Sequence, residues 1–370
     1  MDTFLDEIFS QGEALENCYN SLLYKQKNSL IAFFDYFHSQ HIRKIIFTGM
    51  GSSFYCTYVP FIMLRQAGFE VDCIEAGEFL LHGFPLTEKE VVEKTVIILI
   101  SQSGQTGEIV ELVKKIQNLK IKPYMVGITN NVNSFLAEHT DLQLFLDVGS
   151  EVSVTSKTYV GSLLLLYILA RFIITKNLNS ENERNMIKHL ITNVKQFLNS
   201  NKAPSGLFDI IDEKFGNDYQ FIQILARGPS LSTAYQGALN FKEIVKIASE
   251  ATTVSAFRHG GIESLNEHTR LILFTSTSVD NVLNNQFINQ LTTNWKFGRL
   301  LYITNQDLRP HERLLLNNPN IIFYRHNIEN PFLAPIQEIL FLQFMCYKTA
   351  LKRGHIPGKF IFSSKITRGL

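Results

Sequence analysis

The chain has 370 residues, of which 45% are hydrophobic and 19% are charged. This composition excludes a disordered chain, and the length predicts two domains. The 35 Lys and Arg residues nearly balance the 34 Asp and Glu residues. A globally basic nucleic-acid binder is therefore excluded, whereas a local pocket for a small anion is not.

The sequence contains no evident targeting or membrane segment. Its N-terminus is acidic and polar, unlike a signal peptide. The most apolar run, residues 159–170, is shorter than the ~20 residues that span a bilayer, and it is typical of a buried helix. The four cysteines show no zinc-binding spacing. We therefore expect a cytoplasmic protein with no metal, no organic cofactor and no membrane partner.

The first half of the chain alternates between predicted strands and helices. Strands are predicted at 44–48, 71–74, 95–100, 124–129 and 142–146, and helices at 54–67, 108–117, about 156–175 and about 181–199. Strand–helix alternation is typical of an open α/β fold with a doubly wound parallel sheet. The polar segment 200–206, which contains Pro and Gly, predicts a linker.

The same pattern restarts after the linker. Strands are predicted at 220–226, 271–274, 300–304 and 321–324, and helices at 231–247 and 335–351. The spacing in the sequence from Gly51 to Gly228 is nearly the same as that from Ser101 to Thr275, which indicates an internal duplication. The predicted domains are an N-terminal helix in 1–29, two α/β domains in 30–200 and 207–351, and an irregular tail in 352–370.

The most informative segment is residues 101–107, SQSGQTG, which follows an apolar strand and begins a helix. Free backbone N–H groups and the positive end of the helix dipole meet at such a junction. Ser101, Ser103 and Thr106 add three hydroxyls, and Gly104 lets a ligand approach the backbone. A helix cap would explain one hydroxyl. The pattern therefore favours a phosphate monoester site at the carboxyl end of a strand.

Two serines, Ser52 and Ser53, follow the first predicted strand. In a doubly wound sheet they would lie beside the loop 101–107. They could cap the following helix or contact the same anion, and the residues alone favour neither reading.

The motifs TGMGSS and SQSGQT together resemble the sugar isomerase (SIS) family, whose flavodoxin-like domains bind phosphosugars. In the second half, GALNFKEIVKIASEATTVSAFRHGG resembles the isomerase half of glutamine–fructose-6-phosphate aminotransferases (glucosamine-6-phosphate synthases), which reads GALxLKEI followed by KHGP. The resemblance covers most of residues 30–370 and implies two tandem SIS domains with a C-terminal active-site tail. The glutaminase domain of those synthases is not expected in this chain.

The resemblance implies three catalytic residues. Glu243 matches the glutamate that moves a proton between sugar carbons 1 and 2. His259 matches a histidine that helps to open the sugar ring and comes from the neighbouring subunit, which implies a homodimer. Lys365 matches a tail lysine that forms a Schiff base with the open-chain ketose.

The resemblance also implies the residues that hold the substrate. The phosphate contacts would be Ser101, Gln102, Ser103, Thr106, Ser52 and Ser53. Val154 and Ser156 match a sugar-lining segment less closely. The family lysine one turn before the glutamate is Asn240 here, and Gly261 replaces the proline of KHGP. These departures leave the substrate open.

The chemistry of the three catalytic candidates is consistent with these roles. One carboxylate can carry a proton from carbon 2 to carbon 1, and partial burial in an apolar helix would make Glu243 a better base near neutral pH. From the residues alone, however, a solvated glutamate paired with Lys242 or Lys246 is the commoner case, and only the resemblance favours catalysis. His259 precedes two glycines in a predicted loop, and Lys365 would otherwise be an ordinary tail residue.

Three functions follow as hypotheses. The first is an aldose–ketose isomerase or deaminase that acts on a hexose 6-phosphate or a 2-amino-hexose 6-phosphate. The second is a deglycase for the 6-phosphate of a fructosamine or glucosamine adduct of an amino acid. The third is a non-catalytic phosphosugar-binding regulator. In each case the expected partner is a small sugar phosphate rather than a nucleic acid or a membrane.

Overall fold

The computed structural model describes residues 3–83, 92–177, 180–202, 206–310, 312–362 and 364–369. The predicted linker at 200–206 therefore lies partly outside the described residues. The chain divides into two compact units. The first unit consists of Ser10–Ile191 and the tail from Phe360 onward, and the second consists of the residues up to Phe9 and Thr192–Lys359.

The α-helices of the described residues range from 4 to 20 residues in length. In chain order they are α1 (Thr3–Phe9), α2 (Gln11–Asn20), α3 (Lys27–Ser39), α4 (Ser52–Tyr55), α5 (Tyr58–Gln66), α6 (Ala76–His82), α7 (Gly107–Gln117), α8 (Phe135–Glu138), α9 (Lys157–Thr175), α10 (Glu181–Ser200), α11 (Leu207–Phe215), α12 (Leu231–Asn240), α13 (Val254–Arg258), α14 (Ser278–Asn294) and α15 (Ala334–Lys352). Two π-helical turns, Ser21–Lys25 and Phe241–Val245, continue directly from α2 and α12. Residues 3–25 thus form two helices and a π-turn rather than one helix.

The first unit contains a five-stranded parallel sheet. Its strands are β1 (Lys44–Gly49), β2 (Glu70–Cys73), β3 (Thr95–Ile100), β4 (Tyr124–Thr129) and β5 (Leu142–Phe145). They are arranged in the order β2-β1-β3-β4-β5. The order in which strands are added reverses between β1 and β3, and open sheets of this type bind ligands at such a point. All six residues of β3 are buried, as its continuous apolar run predicts.

The second unit repeats this architecture. Its strands are β6 (Phe221–Ala226), β7 (Ala248–Thr253), β8 (Arg270–Thr275), β9 (Arg299–Thr304) and β10 (Ile321–Arg325). Read from β7, the order is β7-β6-β8-β9-β10, the same as in the first sheet, and the pairings are parallel. The predicted fold class, two tandem doubly wound parallel-sheet domains, is confirmed.

Helix α9 illustrates how the apolar sequence is used. Among the described residues, it is the one helix that is long enough and apolar enough to cross a membrane. However, 83% of its apolar stretch is buried inside the structure. Core helices commonly have this composition because they are surrounded by protein on all sides. As expected for residues 159–170, the helix is buried, and it begins at Lys157, next to the segment that was predicted to line the sugar.

Candidate functional site

The loop at the end of β3 is folded around its own hydroxyl groups. The Oγ of Ser101 lies 2.9 Å from the Oγ1 of Thr106 and accepts a hydrogen bond from the N–H of Gly104 at 3.1 Å. The Oγ of Ser103 accepts from the N–H of Gln105 at 3.2 Å. These bonds join residues that are close in the sequence, so the loop's own hydroxyls support its fold before the start of α7.

Gly104 is required by the shape of this loop. Its φ is +64°, and a Cβ at this position would lie 2.1 Å from the Oγ of Ser134. Its carbonyl accepts a hydrogen bond from the N–H of Leu136 at 3.1 Å, at the start of α8. A side chain here would therefore strain the backbone and push the loop away from α8.

The two serines after β1 lie at the same edge of the sheet as this loop. In the β1–β3 register Gly49 is opposite Ile100, so the chain leaves both strands side by side. A Cβ on Gly49 would lie 2.7 Å from the carbonyl oxygen of Ser53 and 3.0 Å from that of Ile100. Ser52 and Ser53 begin α4 and are half-buried. Their positions agree with the predicted contact to a shared anion, which remains a prediction.

The C-terminal tail returns to the start of α7. The N–H of Gly107 donates a hydrogen bond to the carbonyl of Thr367 at 3.1 Å, and a Cβ on Gly107 would lie 2.9 Å from the carbonyl oxygen of Arg368. Gly107 thus permits close packing of the tail against the helix that follows the phosphate loop. The predicted active-site tail and the predicted phosphate loop therefore meet within the first unit.

Lys365 is held by the segment after β5. Its Nζ lies 3.0 Å from the Oε2 of Glu151 and 2.5 Å from the carbonyl oxygen of Ser153. The side chain of Glu151 is fully buried, whereas that of Lys365 is 18% exposed. The structure thus places Lys365, partly exposed, in an ion pair with a buried carboxylate.

Glu151 is a site residue that the sequence reasoning did not single out. Its carboxylate accepts hydrogen bonds from the N–H and hydroxyl groups of both Ser156 and Thr158, at the start of α9. The available signal was an acidic residue shortly before a helix whose first turn carries hydroxyls. That pattern predicts a capping carboxylate, but it does not reveal the lysine that completes the pair.

The two predicted sugar-lining residues are both fully buried. The side chain of Val154 has no exposed surface, and the hydroxyl of Ser156 donates to Glu151 at 3.2 Å. Ser156 therefore supports Glu151 in this structure. A direct contact of either residue with a sugar remains a prediction.

Glu243 lies in the second unit, on the π-turn Phe241–Val245, and is half-buried. Single π-turns in helices are frequent at functional sites. The turn ends at Lys246, which has a φ of +63°. The ammonium of Lys246 donates to the carbonyl of Glu243 and, at 2.8 Å, to that of Lys359. Burial lowers the pKa of Lys246, and the attraction of Glu243 opposes this shift.

His259 also lies in the second unit, at the end of α13, and is exposed. Its N–H donates to the carbonyl of Ala256 at 2.9 Å, and Gly260 then takes a φ of +142°, which favours glycine. The short helix and the glycine turn present the imidazole to solvent. This exposure agrees with a histidine that acts on a neighbouring subunit's site, which remains a prediction.

In the second sheet, two hydroxyls that follow β6, the counterpart of β1, are bonded to a carboxyl group of the protein itself. The hydroxyls of Ser230 and Thr233 donate to Glu338 at 2.8 and 2.7 Å, and all three residues are fully buried. Gly228, which corresponds to Gly51, has a similar positive φ, +56° against +50°. The two units thus share a backbone plan but differ in what the hydroxyls after this strand can bind.

Residues 39–170 match the SIS domain family. The chain is 26% identical over 360 residues to an isomerizing glutamine–fructose-6-phosphate aminotransferase of Pyrococcus horikoshii, covering 96% of this chain and 56% of that protein. It is 28% identical over 265 residues to the corresponding protein of Thermotoga maritima, covering 70% and 42%. The chain thus spans about half the length of these curated relatives.

Solved structures show the same fold. The C-terminal domain of glucosamine-fructose-6-phosphate aminotransferase from Francisella tularensis superposes with a TM-score of 0.79 at 21% identity, covering 97% of this chain and 98% of that one. A glucosamine-6-phosphate deaminase from Thermotoga maritima gives 0.71 at 20% identity and coverages of 98% and 99%. Tagatose-6-phosphate ketose/aldose isomerase from Escherichia coli gives 0.76 at 16% identity, with coverages of 98% and 96%. The chain therefore carries an SIS domain in residues 39–170, and over nearly its whole length it is a homologue of the isomerizing aminotransferases.

Proposed function

We propose that this protein is a phosphosugar aldose–ketose isomerase of the SIS type. Its substrate is a hexose 6-phosphate or a 2-amino-hexose 6-phosphate, and with an aminosugar the reaction includes loss or gain of ammonia. The observation that carries the proposal is the meeting of the SQSGQT loop with the lysine-bearing tail in the first unit. A hydroxyl-rich loop for an anion beside an amine suits a phosphorylated carbonyl compound.

The loop supplies binding rather than chemistry. Ser101, Gln102, Ser103 and Thr106, with Ser52 and Ser53 from the neighbouring segment, surround the phosphate. Hydroxyls and helix-end N–H groups, rather than a cluster of basic side chains, offset its charge. Because the phosphate does not change during the reaction, these contacts bind the substrate and the transition state equally.

The proton transfer is assigned to Glu243. Its carboxylate takes the proton from carbon 2 of the open-chain aldose, which leaves an enediol or an enolamine, and returns the proton to carbon 1. A hexose 6-phosphate becomes the ketose by this route. A 2-amino-hexose 6-phosphate becomes a ketimine, and its hydrolysis gives fructose 6-phosphate and ammonia.

The two other catalytic candidates, His259 and Lys365, act in the steps before and after this proton transfer. His259 exchanges the ring-opening proton, since an imidazole titrates near neutral pH. Lys365 forms a Schiff base with the open-chain ketose. Val154 and Ser156 belong to the segment that surrounds the sugar.

The decisive test offers the purified protein glucosamine 6-phosphate, fructose 6-phosphate with ammonia, and fructoselysine 6-phosphate in separate assays in deuterated water. We expect deuterium to enter at carbon 1 or carbon 2 of one of the first two substrates. Turnover of the fructosamine adduct alone would identify a deglycase. Tight binding of a sugar phosphate without any exchange would indicate a regulator.

We further propose a homodimer in which His259 acts across the subunit boundary. Mixing Glu243→Gln and His259→Asn chains would then restore roughly a quarter of wild-type activity, because half of the randomly assorted dimers contain one intact site. No recovery after mixing, or full activity in a purified monomer, would contradict this arrangement.

A further inference from the structure

Lys365 faces a carboxylate that is unusually well fixed. Four hydrogen bonds, from the N–H and hydroxyl groups of Ser156 and Thr158, hold Glu151 at distances of 2.7 to 3.2 Å. These donors belong to the start of α9, a helix of 19 residues, where the positive end of the helix dipole also favours a negative charge. The position of the carboxylate is therefore set independently of the tail.

The tail makes a further contact with this carboxylate. Lys365 Nζ lies 3.0 Å from Oε2 of Glu151, although the two residues are separated by 214 positions in the sequence. The nearest basic side chain on the same segment, Lys157, is turned away and donates to the carbonyl of Ser150. Lys365, to which the proposed function assigns Schiff-base chemistry, thus forms an ion pair with the buried carboxylate of Glu151.

We propose that Glu151 is the positioning residue and fixed counter-ion of Lys365. This inference rests on the proposed function. In Schiff-base formation the ammonium of Lys365 first gives one proton to Glu151, and the neutral amine attacks the ketose carbonyl. The proton returns as the carbinolamine loses one molecule of water, which leaves a protonated imine. The C–N bond forms, the C–O bond breaks, and the positive charge on the lysine nitrogen is present both before and after the reaction.

A fixed carboxylate is useful here because it can hold the proton while the neutral amine attacks and can return it when water leaves. A prearranged negative group stabilises the protonated imine without any reorganisation of its surroundings. The same group holds the ammonium toward the site before the substrate binds, while the carbonyl of Ser153 accepts a second proton of the ammonium at 2.5 Å. Glu151 acts through Lys365, so its loss should affect imine formation far more than phosphosugar binding.

The test is to trap the imine. The full-length protein is incubated with fructose 6-phosphate and sodium borohydride, and the reduced adduct on Lys365 is followed by mass spectrometry. Glu151→Gln should slow adduct formation by about tenfold or more, the usual effect of losing a charged hydrogen-bond partner. Its affinity for sorbitol 6-phosphate, which lacks a carbonyl, should stay within about twofold of wild type.

The matched control is Glu111→Gln. It removes one carboxylate from the same unit, but from an exposed pair with Lys114, and should leave trapping unchanged. If Glu151→Gln does not fold, the Glu151→Asp variant serves as the test instead. It keeps the charge, but its side chain is one methylene shorter, so its carboxylate lies farther from Lys365. It should also slow trapping, and an Asp variant that traps at the wild-type rate would overturn the inference.

The outcomes separate this inference from the proposed function. If the wild-type protein forms an adduct at Lys365 and Glu151→Gln forms it equally fast, the counter-ion role is wrong and the lysine's role stands. If the wild type forms no adduct at Lys365, the Schiff-base role falls and this inference falls with it. Equal losses of trapping and of sorbitol 6-phosphate binding would show that Glu151 is only structural.

Discussion

At the scale of single residues, Glu243 separates chemistry from binding. Glu243→Gln keeps the size of the side chain but removes the base, so turnover should fall by at least about a hundredfold. Binding of sorbitol 6-phosphate, measured by calorimetry, should not change. The control is Glu250→Gln, which alters an exposed glutamate of β7 in the same unit. Normal turnover in Glu243→Gln would contradict the assignment.

Ser103 and Ser101 differ in what their hydroxyls do. Ser103→Ala should raise KM by about tenfold with little change in kcat, because it removes a contact made equally in the ground and transition states. Ser101→Ala should lower the melting temperature more than Ser103→Ala, because the Oγ of Ser101 is bonded to both Thr106 and Gly104 inside the loop, whereas that of Ser103 is bonded to Gln105 alone in the described loop. An equal loss of stability in both variants would contradict this distinction.

The predictability of the site also differs from residue to residue. The loop 101–107 could be predicted because its hydroxyls, its glycine and its helix start are all contiguous in the sequence. The pair of Glu151 and Lys365 could not, since it joins residues 214 positions apart and depends on the path of an irregular tail. The resemblance indicated Lys365, but the structure was needed to find its partner.

At the scale of elements, Lys246 at the end of the π-turn Phe241–Val245 is bonded to two carbonyls, those of Glu243 and of Lys359. Lys359 directly precedes the tail segment that begins at Phe360. Lys246→Met removes the hydrogen bonds from Nζ to the carbonyls of Glu243 and Lys359. The segment after Lys359 should then open more often, and chymotrypsin should cleave after Phe360 or Phe362 several-fold faster. Lys242→Met, an exposed change on the same turn, is the control. Equal cleavage rates in the two variants would argue against this anchoring.

Two of the elements that were not predicted correctly from the sequence each have a physical reason. Strand β7, Ala248–Thr253, is polar and half-exposed because it lies at the edge of its sheet, so it carries no apolar run. The predicted helix 231–247 ends at Asn240 and continues as a π-turn, a change of period too short to detect in a sequence. Interior strands such as β3 were predicted because both of their faces are buried.

At the scale of the whole molecule, two units with the same strand order use the carboxyl edge of the sheet differently. In the first unit the hydroxyls after β1 and β3 belong to the proposed phosphate site. In the second, Ser230 and Thr233 are bonded to Glu338, a buried carboxyl group supplied by α15. The repeated backbone therefore carries one proposed phosphate site, and the second copy has a stabilising internal network in its place.

That internal network makes stability depend on pH. Burial raises the pKa of Glu338 to about 7, from 4.5 in the unfolded chain. The native state therefore holds a proton that the unfolded state has lost between these values. Stability from this group is complete below pH 4.5 and falls as pH rises through about 7. His326, whose Nε2 lies 4.0 Å from Glu338, has its pKa lowered by burial to about 3 and so is uncharged at neutral pH.

Glu338→Gln should abolish this dependence, because an amide does not titrate. Its oxygen can accept from one of the two hydroxyls, and its NH2 can donate to the oxygen of the other. Urea unfolding between pH 4.5 and 8 should show wild type losing free energy of unfolding relative to the variant, by a few kcal/mol at most. The comparison cancels the opposite contribution of His326, which both proteins share. Glu329→Gln, an exposed change nearby, should keep the wild-type pH profile. Parallel profiles for wild type and Glu338→Gln would show that Glu338 stays ionised in the folded protein and that its hydroxyl donors are sufficient to stabilise the charge.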